Sequence, residues 1–295
     1  MPTKTTPAVR VKFLRLHLSE ENIKLYIDLL KEIKMPFTLE ISNYTTRLRS
    51  ENYNVYFLKT EQSNRAFAAA AMIKSDLKKC RPPKIDMNKN TYYDSNIKQE
   101  FYSDRAFNID LKSAYATILF NAGYISLKTY NYVLALPKLS RLAAVGMCAS
   151  RKSIFVHNSQ GRIISHTENI NPLSPFFFYC VQQTENIIKD LRNKIFGEMF
   201  LFSWVDSIYY LNENDSYKNV TLQYLREEYN LQATYKELEN FECKLRNDFL
   251  KITFTETESK KQKYFSIPLP ETKFKRQLIN YLMKKDYNTL KTKQL

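Results

Sequence analysis

Residues 106–119 read AFNIDLKSAYATIL, and this run sets the fold class. Five mostly apolar residues closed by a single carboxylate have the pattern of a short buried strand that ends at Asp110. A turn follows, and residues 114–119 begin a helix. A second apolar run, residues 199–210 (MFLFSWVDSIYY), predicts a hairpin with Asp206 in its middle.

Outward from these two segments, strands and helices alternate irregularly. Upstream, Ser19 is the expected N-cap of a helix that runs to about Ile33, with Ile23, Tyr26, Ile27 and Leu30 on one face. Residues 37–59 hold two β-rich runs, FTLEIS and NVYFLK, around a polar centre, which predicts a hairpin. Residues 64–79 are Ala-rich and helical, and the polar, Pro-containing stretch 81–96 is a loop that closes an N-terminal region. Downstream, helices are expected at 126–134 and 138–152, parted by Pro137, and at 177–195, with Gln182, Gln183, Asn186 and Asp190 on a polar face. Two more helices near 218–229 and 236–248 precede a hairpin at 250–257 and 262–267, and a last amphipathic helix spans 271–285. Without a regular βαβ alternation the class is α+β. The expected divisions are 1–96, 97–268 and 269–295.

At 44% hydrophobic and 25% charged, the 295 residues suffice for a packed core and exclude a disordered or fibrous chain. The longest wholly apolar run, residues 66–73, is far too short to cross a bilayer, and the N-terminus lacks the apolar stretch of a signal peptide. Four scattered cysteines without a C-x-x-C pair exclude a zinc ribbon or a disulfide framework and fit a reducing cytoplasm. The expected setting is cytoplasmic, in a bacterial or phage-infected cell, with no membrane association. A formal charge of +15 points to a nucleic-acid partner, and residues 259–295 carry ten basic against two acidic side chains. A solvated, solubilising tail is the bland alternative for that segment.

Asp110 and Asp206 stand out because a carboxylate in an apolar strand is costly unless it is paired or holds a metal. Taken singly, a turn residue and a satisfied hairpin residue explain them. Together, two aspartates on adjacent strands can bridge two divalent cations about 4 Å apart, the arrangement that phosphoryl transfer uses, and magnesium suits such oxygen ligands.

At these residues the chain resembles the palm domain of family B DNA polymerases. Residues 110–119 (DLKSAYATIL) are similar to its motif A, D-x-x-S-L-Y-P-S-I-I, and residues 202–207 (FSWVDS) to its motif C, Y-G-D-T-D-S. Residues 138–146 (KLSRLAAVG) keep the spacing of motif B, K-x-x-x-N-S-x-Y-G, and Lys261-Gln262-Lys263-Tyr264 resembles the Lys/Tyr element that grips the primer. The four occur in the family's order, and the resemblance covers about 106–268. It implies a palm-like antiparallel sheet with flanking helices, while the 28 residues from Asp110 to Lys138 and the 31 after Tyr264 lead to the expectation of reduced fingers and no full thumb. By resemblance, Asp110, Asp206 and the Leu111 main chain would hold two Mg²⁺ or Mn²⁺ ions. Ser113, Ala114 and Tyr115 would cradle the nucleotide, with Tyr115 under the sugar as the barrier to a 2′-hydroxyl. Lys138 and Arg141 would meet the phosphates, and Lys261, Lys263 and Tyr264 the primer.

The departures are Leu142 and Val145 in motif B, Trp204 in place of the first aspartate of motif C, and Ala114 and Ala116 in motif A. No Asp-x-Glu occurs, so a proofreading exonuclease of the family type is not expected. The implied activity is a minimal DNA polymerase that adds deoxynucleotides to a 3′-hydroxyl on a primer–template, among other replication proteins. A primase or terminal transferase, and a non-catalytic palm-like nucleic-acid-binding protein of a replication or virion complex, remain open. So does a basic α+β binding module whose motif matches are accidental.

Overall fold

The computed structural model describes residues 20–42, 45–51, 54–58, 64–85, 93–97, 99–211, 217–246 and 249–268. In chain order the elements are α1 (Glu20–Glu32), β1 (Phe37–Ser42), β2 (Thr45–Ser50), β3 (Asn54–Leu58), α2 (Asn64–Leu77), β4 (Tyr93–Ser95) and β5 (Phe101–Lys112). Then come α3 (Ala114–Asn121), α4 (Leu127–Leu134), α5 (Lys138–Gly146), β6 (Arg151–His157), β7 (Ile163–Ile170) and α6 (Ser174–Leu191). Strands β8 (Phe200–Trp204) and β9 (Ser207–Tyr210), helix α7 (Tyr217–Tyr229), and strands β10 (Gln232–Arg246), β11 (Phe249–Glu256) and β12 (Gln262–Pro268) complete the described chain. The class is α+β, and every strand pair is antiparallel. No helix among the described residues is long and apolar enough to cross a membrane.

Two compact units emerge, Met1–Lys89 with Tyr115–Gln183, and Asn90–Ala114 with Thr184–Leu295. The segment 1–96 is therefore not a unit by itself: most of it groups with residues 115–183.

In the first unit a five-stranded sheet has the order β3-β2-β1-β6-β7. Helix α1 packs its apolar stripe, Ile23, Tyr26, Ile27 and Leu30, against Phe37, Leu39 and Leu48 of that sheet. Its Lys31 stem crosses Gly161, where a Cβ would meet Lys31 Cγ at 2.6 Å, in a β6–β7 turn that needs φ +73°. Helix α2 buries Ala66, Ala69, Ala70, Ile73 and Leu77, and it packs on α5, whose Ala143 and Ala144 are also buried. Small side chains on both helices permit the close approach. Ser126 caps α4 by accepting from Thr129 N, and Asp76 Oδ2 accepts in turn from Ser126 N, Ser126 Oγ and Thr129 Oγ1.

In the second unit a seven-stranded sheet has the order β12-β11-β10-β5-β9-β8-β4. One face carries Phe107, Tyr235 and Tyr210, and behind Tyr210 lie Phe196 and Tyr217 of α7. The other face gathers Phe202, Tyr209, Phe241, Phe254, Trp204 and Phe265. Trp204 of β8 meets Phe265 of β12 at 5.3 Å between ring centroids, although five inter-strand steps separate their strands. In a flat sheet those steps amount to about 24 Å, a gap that two aromatic side chains do not span. The sheet therefore curls around its own aromatic cluster, which supplies the core on that face and to which no helix among the described residues contributes.

Several expected elements differ. The polar centre of 37–59 is itself strand β2, with Thr46 and Leu48 buried on one side. Helix α5 stops at Gly146, and residues 151–170 form the hairpin β6–β7, for which no strand was expected. Of the expected helix at 236–248, residues 236–246 belong to strand β10 and the last two lie outside the described residues. Ser19 and the expected helix at 271–285 lie outside the described residues.

Candidate functional site

Strand β5 is buried on both faces from Ala106 to Ile109, and it does not end at the partly buried Asp110, as the sequence pattern predicts, but continues through buried Leu111 to Lys112 because both still pair with β10. Asp110 stands opposite Ser207 of β9 and Thr234 of β10. Ser207 Oγ donates to Asp110 Oδ1 at 2.8 Å, and Thr234 Oγ1 donates to the Asp110 carbonyl at 3.3 Å. Asp206 is not in a strand: with Val205 it forms the two-residue turn between β8 and β9, whose ends pair as Trp204 and Ser207. The Asp206 carbonyl accepts from Leu111 N at 3.0 Å, so the turn is clipped to the end of β5 beside Asp110. The backbone next to Asp110 and the turn that carries Asp206 therefore adjoin.

Both segments hold a residue in the left-handed backbone region: Ser113, with φ 53°, and Val205, with φ 56°. For a β-branched residue such a conformation is costly and persists where the surroundings impose it, a feature that clusters at functional sites. Nothing in the one-dimensional pattern marks this strain.

Next to Asp110 on the same face lies Tyr209, whose hydroxyl burial pushes above its usual range, helped by the charges of Asp110 and Glu256. Glu256, at the end of β11, is 8% exposed. Its Oε1 accepts from Lys236 Nζ at 2.8 Å and pairs with Lys263 Nζ at 2.6 Å, while Ser259 Oγ donates to Oε2 at 2.7 Å. Burial alone would raise this carboxyl, but the two lysines and the serine outweigh it and hold it at about 2. Sequence reasoning missed Glu256, although a lone carboxylate closing the alternating run FLKITFTE was its available signal.

Two of the expected phosphate and primer contacts are committed within the fold. Lys263 is bound to Glu256, and Tyr264, 81% exposed, sits on the opposite face of β12. Lys261 is exposed at the β11–β12 turn, where its carbonyl accepts from Glu256 N. The primer-grip triplet therefore does not present a single face. In the first unit, Arg141 Nη1 donates to the carbonyls of Leu134 and Leu136 at 3.2 and 3.0 Å, tying α5 to the end of α4. Lys138 opens α5 and is exposed. Tyr115 packs edge-on against Phe177, with centroids 5.4 Å apart. Ala114, buried, starts α3 directly after Ser113.

The donor set at Asp110 and Asp206 is compatible with magnesium, which is often bound through one or two carboxylates together with substrate phosphates rather than in an all-protein cage. Among the described residues, no group of three or more His, Cys, Asp or Glu side chains gathers for a metal. No disulfide joins any of the four cysteines, and burial pushes the thiols of Cys148 and Cys243 up to about 11, which leaves them protonated and unreactive. No protein-family model matches this chain, and no curated protein matches it.

Proposed function

We propose that this protein is a minimal nucleotidyltransferase of the polymerase palm type, acting on a nucleic-acid 3′-hydroxyl and a deoxynucleoside triphosphate. The observation that carries the reading is the clip between β5 and the β8–β9 turn, in which the residue after Asp110 donates its amide to the Asp206 carbonyl. Divalent ions held by these carboxylates would supply the charge stabilisation that phosphoryl transfer needs. The chain's own part is positional. Ser207 orients the Asp110 carboxylate, and the Leu111 amide fixes the turn that carries Asp206. The strained turns at Ser113 and Val205 agree with a site whose backbone is preorganised.

A second reading, a palm-like nucleic-acid-binding protein without catalysis, draws its support from Arg141 and Lys263, whose charged ends are engaged inside the fold. Labelled-dNTP incorporation on a primed template with Mg²⁺ or Mn²⁺ separates the two. The wild type is expected to extend the primer, and Asp206→Asn to abolish extension while nucleic-acid binding stays nearly unchanged. Extension that survives Asp206→Asn, or a wild type that binds duplex and never extends it, would overturn the enzymatic reading.

A further inference from the structure

Strand β7, IISHTENI, closes the five-stranded sheet: β6 lies on one side of it and no described strand on the other. All eight of its residues are exposed, and Ile163, Ile164 and Ile170 are 58%, 64% and 52% accessible. Soluble proteins usually blunt such an edge with lysines, prolines, bulges or a covering element. Here β7 contains no Lys, Arg or Pro, and its one register shift sits at the turn end, between Val156 and His157.

We propose that β7 is the interface at which two copies of this chain pair antiparallel, joining their five-stranded sheets into one. The argument rests on what the strand presents to itself. A closed two-fold dimer through sheet edges needs its axis normal to the sheet, so only residues on the same face can oppose each other. That restricts the register to those centred on a single residue, and centring on His166 or Thr167 gives the longest overlap. Centred on His166, the pairing sets His166 against itself and Ile164 against Glu168, both unfavourable. Centred on Thr167, it sets Ile164 against Ile170, His166 against Glu168, Ser165 against Asn169 and Thr167 against Thr167 of the second copy. Apolar, opposite-polarity and Thr–Thr pairs are the combinations that stabilise a ladder. Glu168, the one charged residue of the strand, thereby gains a partner twice over. His166, Glu168 and Ile170 also share the face of Phe155 and Leu39, on which α1 packs. His166 is already stacked on Phe155, with centroids 4.4 Å apart, so the apolar surface beneath α1 would continue into the second copy.

Sedimentation velocity on the full chain at tens of micromolar tests this. The wild type is expected to be a dimer. Glu168→Lys, which replaces the acceptor opposite His166 by a second donor at both symmetry-related positions, is expected to weaken association by about tenfold. The double variant His166→Glu with Glu168→Lys restores opposite pairing in this register and should recover the dimer. Thr167→Cys, about 5 Å from its own copy, should give a disulfide-linked dimer on mild oxidation, whereas Ile163→Cys should not. All four positions are exposed, and circular dichroism checks that each variant stays folded. A monomeric wild type, a dimer indifferent to Glu168→Lys, or failure of the double variant to recover would overturn the proposal.

Discussion

Replacing Glu256 by Gln keeps the shape of the side chain and removes the anion that holds Lys236 and Lys263 together. A carboxyl that titrates at about 2 rather than 4.5 contributes about 3 kcal/mol to folding at neutral pH. The Lys236 and Lys263 side chains are 35% and 43% exposed, and solvent screening there brings the expected loss to about 2 kcal/mol. Because the folded-state value is depressed, this stabilisation is complete above the ordinary carboxyl range and is lost as pH falls from 4.5 toward 2. Trp204 is the only tryptophan of the chain and packs against Phe265, two residues along β12 from Lys263. Its fluorescence therefore reports unfolding of the second unit. Urea titrations of the wild type and Glu256→Gln should show midpoints well separated at neutral pH, with the gap cut to less than half by about pH 3. Coincident midpoints at neutral pH, or a gap unchanged by acid, would refute the electrostatic account. The same substitution releases two cations, so it should also steepen the salt dependence of duplex binding if Lys263 lies near phosphates.

Val205→Gly should raise stability by about 1 kcal/mol, because the left-handed turn no longer strains a β-branched residue; a lower urea midpoint would contradict the strain. Arg141→Ala should cost about 2 kcal/mol through the orphaned Leu134 and Leu136 carbonyls. Thermal unfolding that does not move would show that water replaces the guanidinium there. Tyr115→Ala is expected to raise ribonucleotide use relative to deoxyribonucleotide use in primer extension. A wild type that takes both sugars equally would remove the steric role from Tyr115.

Much of the architecture is visible in local pattern. Helices α1, α2 and α4 follow from periodicity and from caps such as Ser126. Strand β10 shows why the rest is not. Leu238 and Phe241 sit three apart, a helical spacing, yet both are buried in the same cluster of a strand. The cause is a bulge between Glu239 and Glu242, with Asn240 at φ 53°, which inserts an extra residue and converts an alternation of two into an apparent step of three. The bulge is nonlocal in origin: it is set by pairing with β11 and by the stacking of Phe241 on Phe254, centroids 5.8 Å apart. The β6–β7 hairpin did carry a local signal, the turn NSQG between two β-branched runs, in which Asn158 Oδ1 accepts from Gln160 N and Arg162 N.

The candidate site divides along the same line. Asp110 and Asp206 are legible because a carboxylate in an apolar run announces its own cost, whatever the fold around it. A cation announces nothing of the kind, since Lys and Arg are at home on any surface, and its availability depends on the nearest acceptor in three dimensions. Arg141 reaches back to carbonyls five and seven residues earlier, across the break at Pro137. Lys263 reaches over the β11–β12 turn to a glutamate seven residues upstream, which itself needs Lys236 from β10 before it can stay charged while buried. Motif spacing fixes which residue types stand near one another along the chain, whereas the acceptors that claim them are chosen by strand pairing and helix packing. Any phosphate contact through Lys263 must therefore compete with a carboxylate held at about 2. Glu256→Gln, which removes that competitor, should therefore tighten duplex binding if Lys263 meets phosphates, whereas a Lys263 that meets none predicts no change, and titrating one labelled duplex against wild type and variant at fixed salt distinguishes the two.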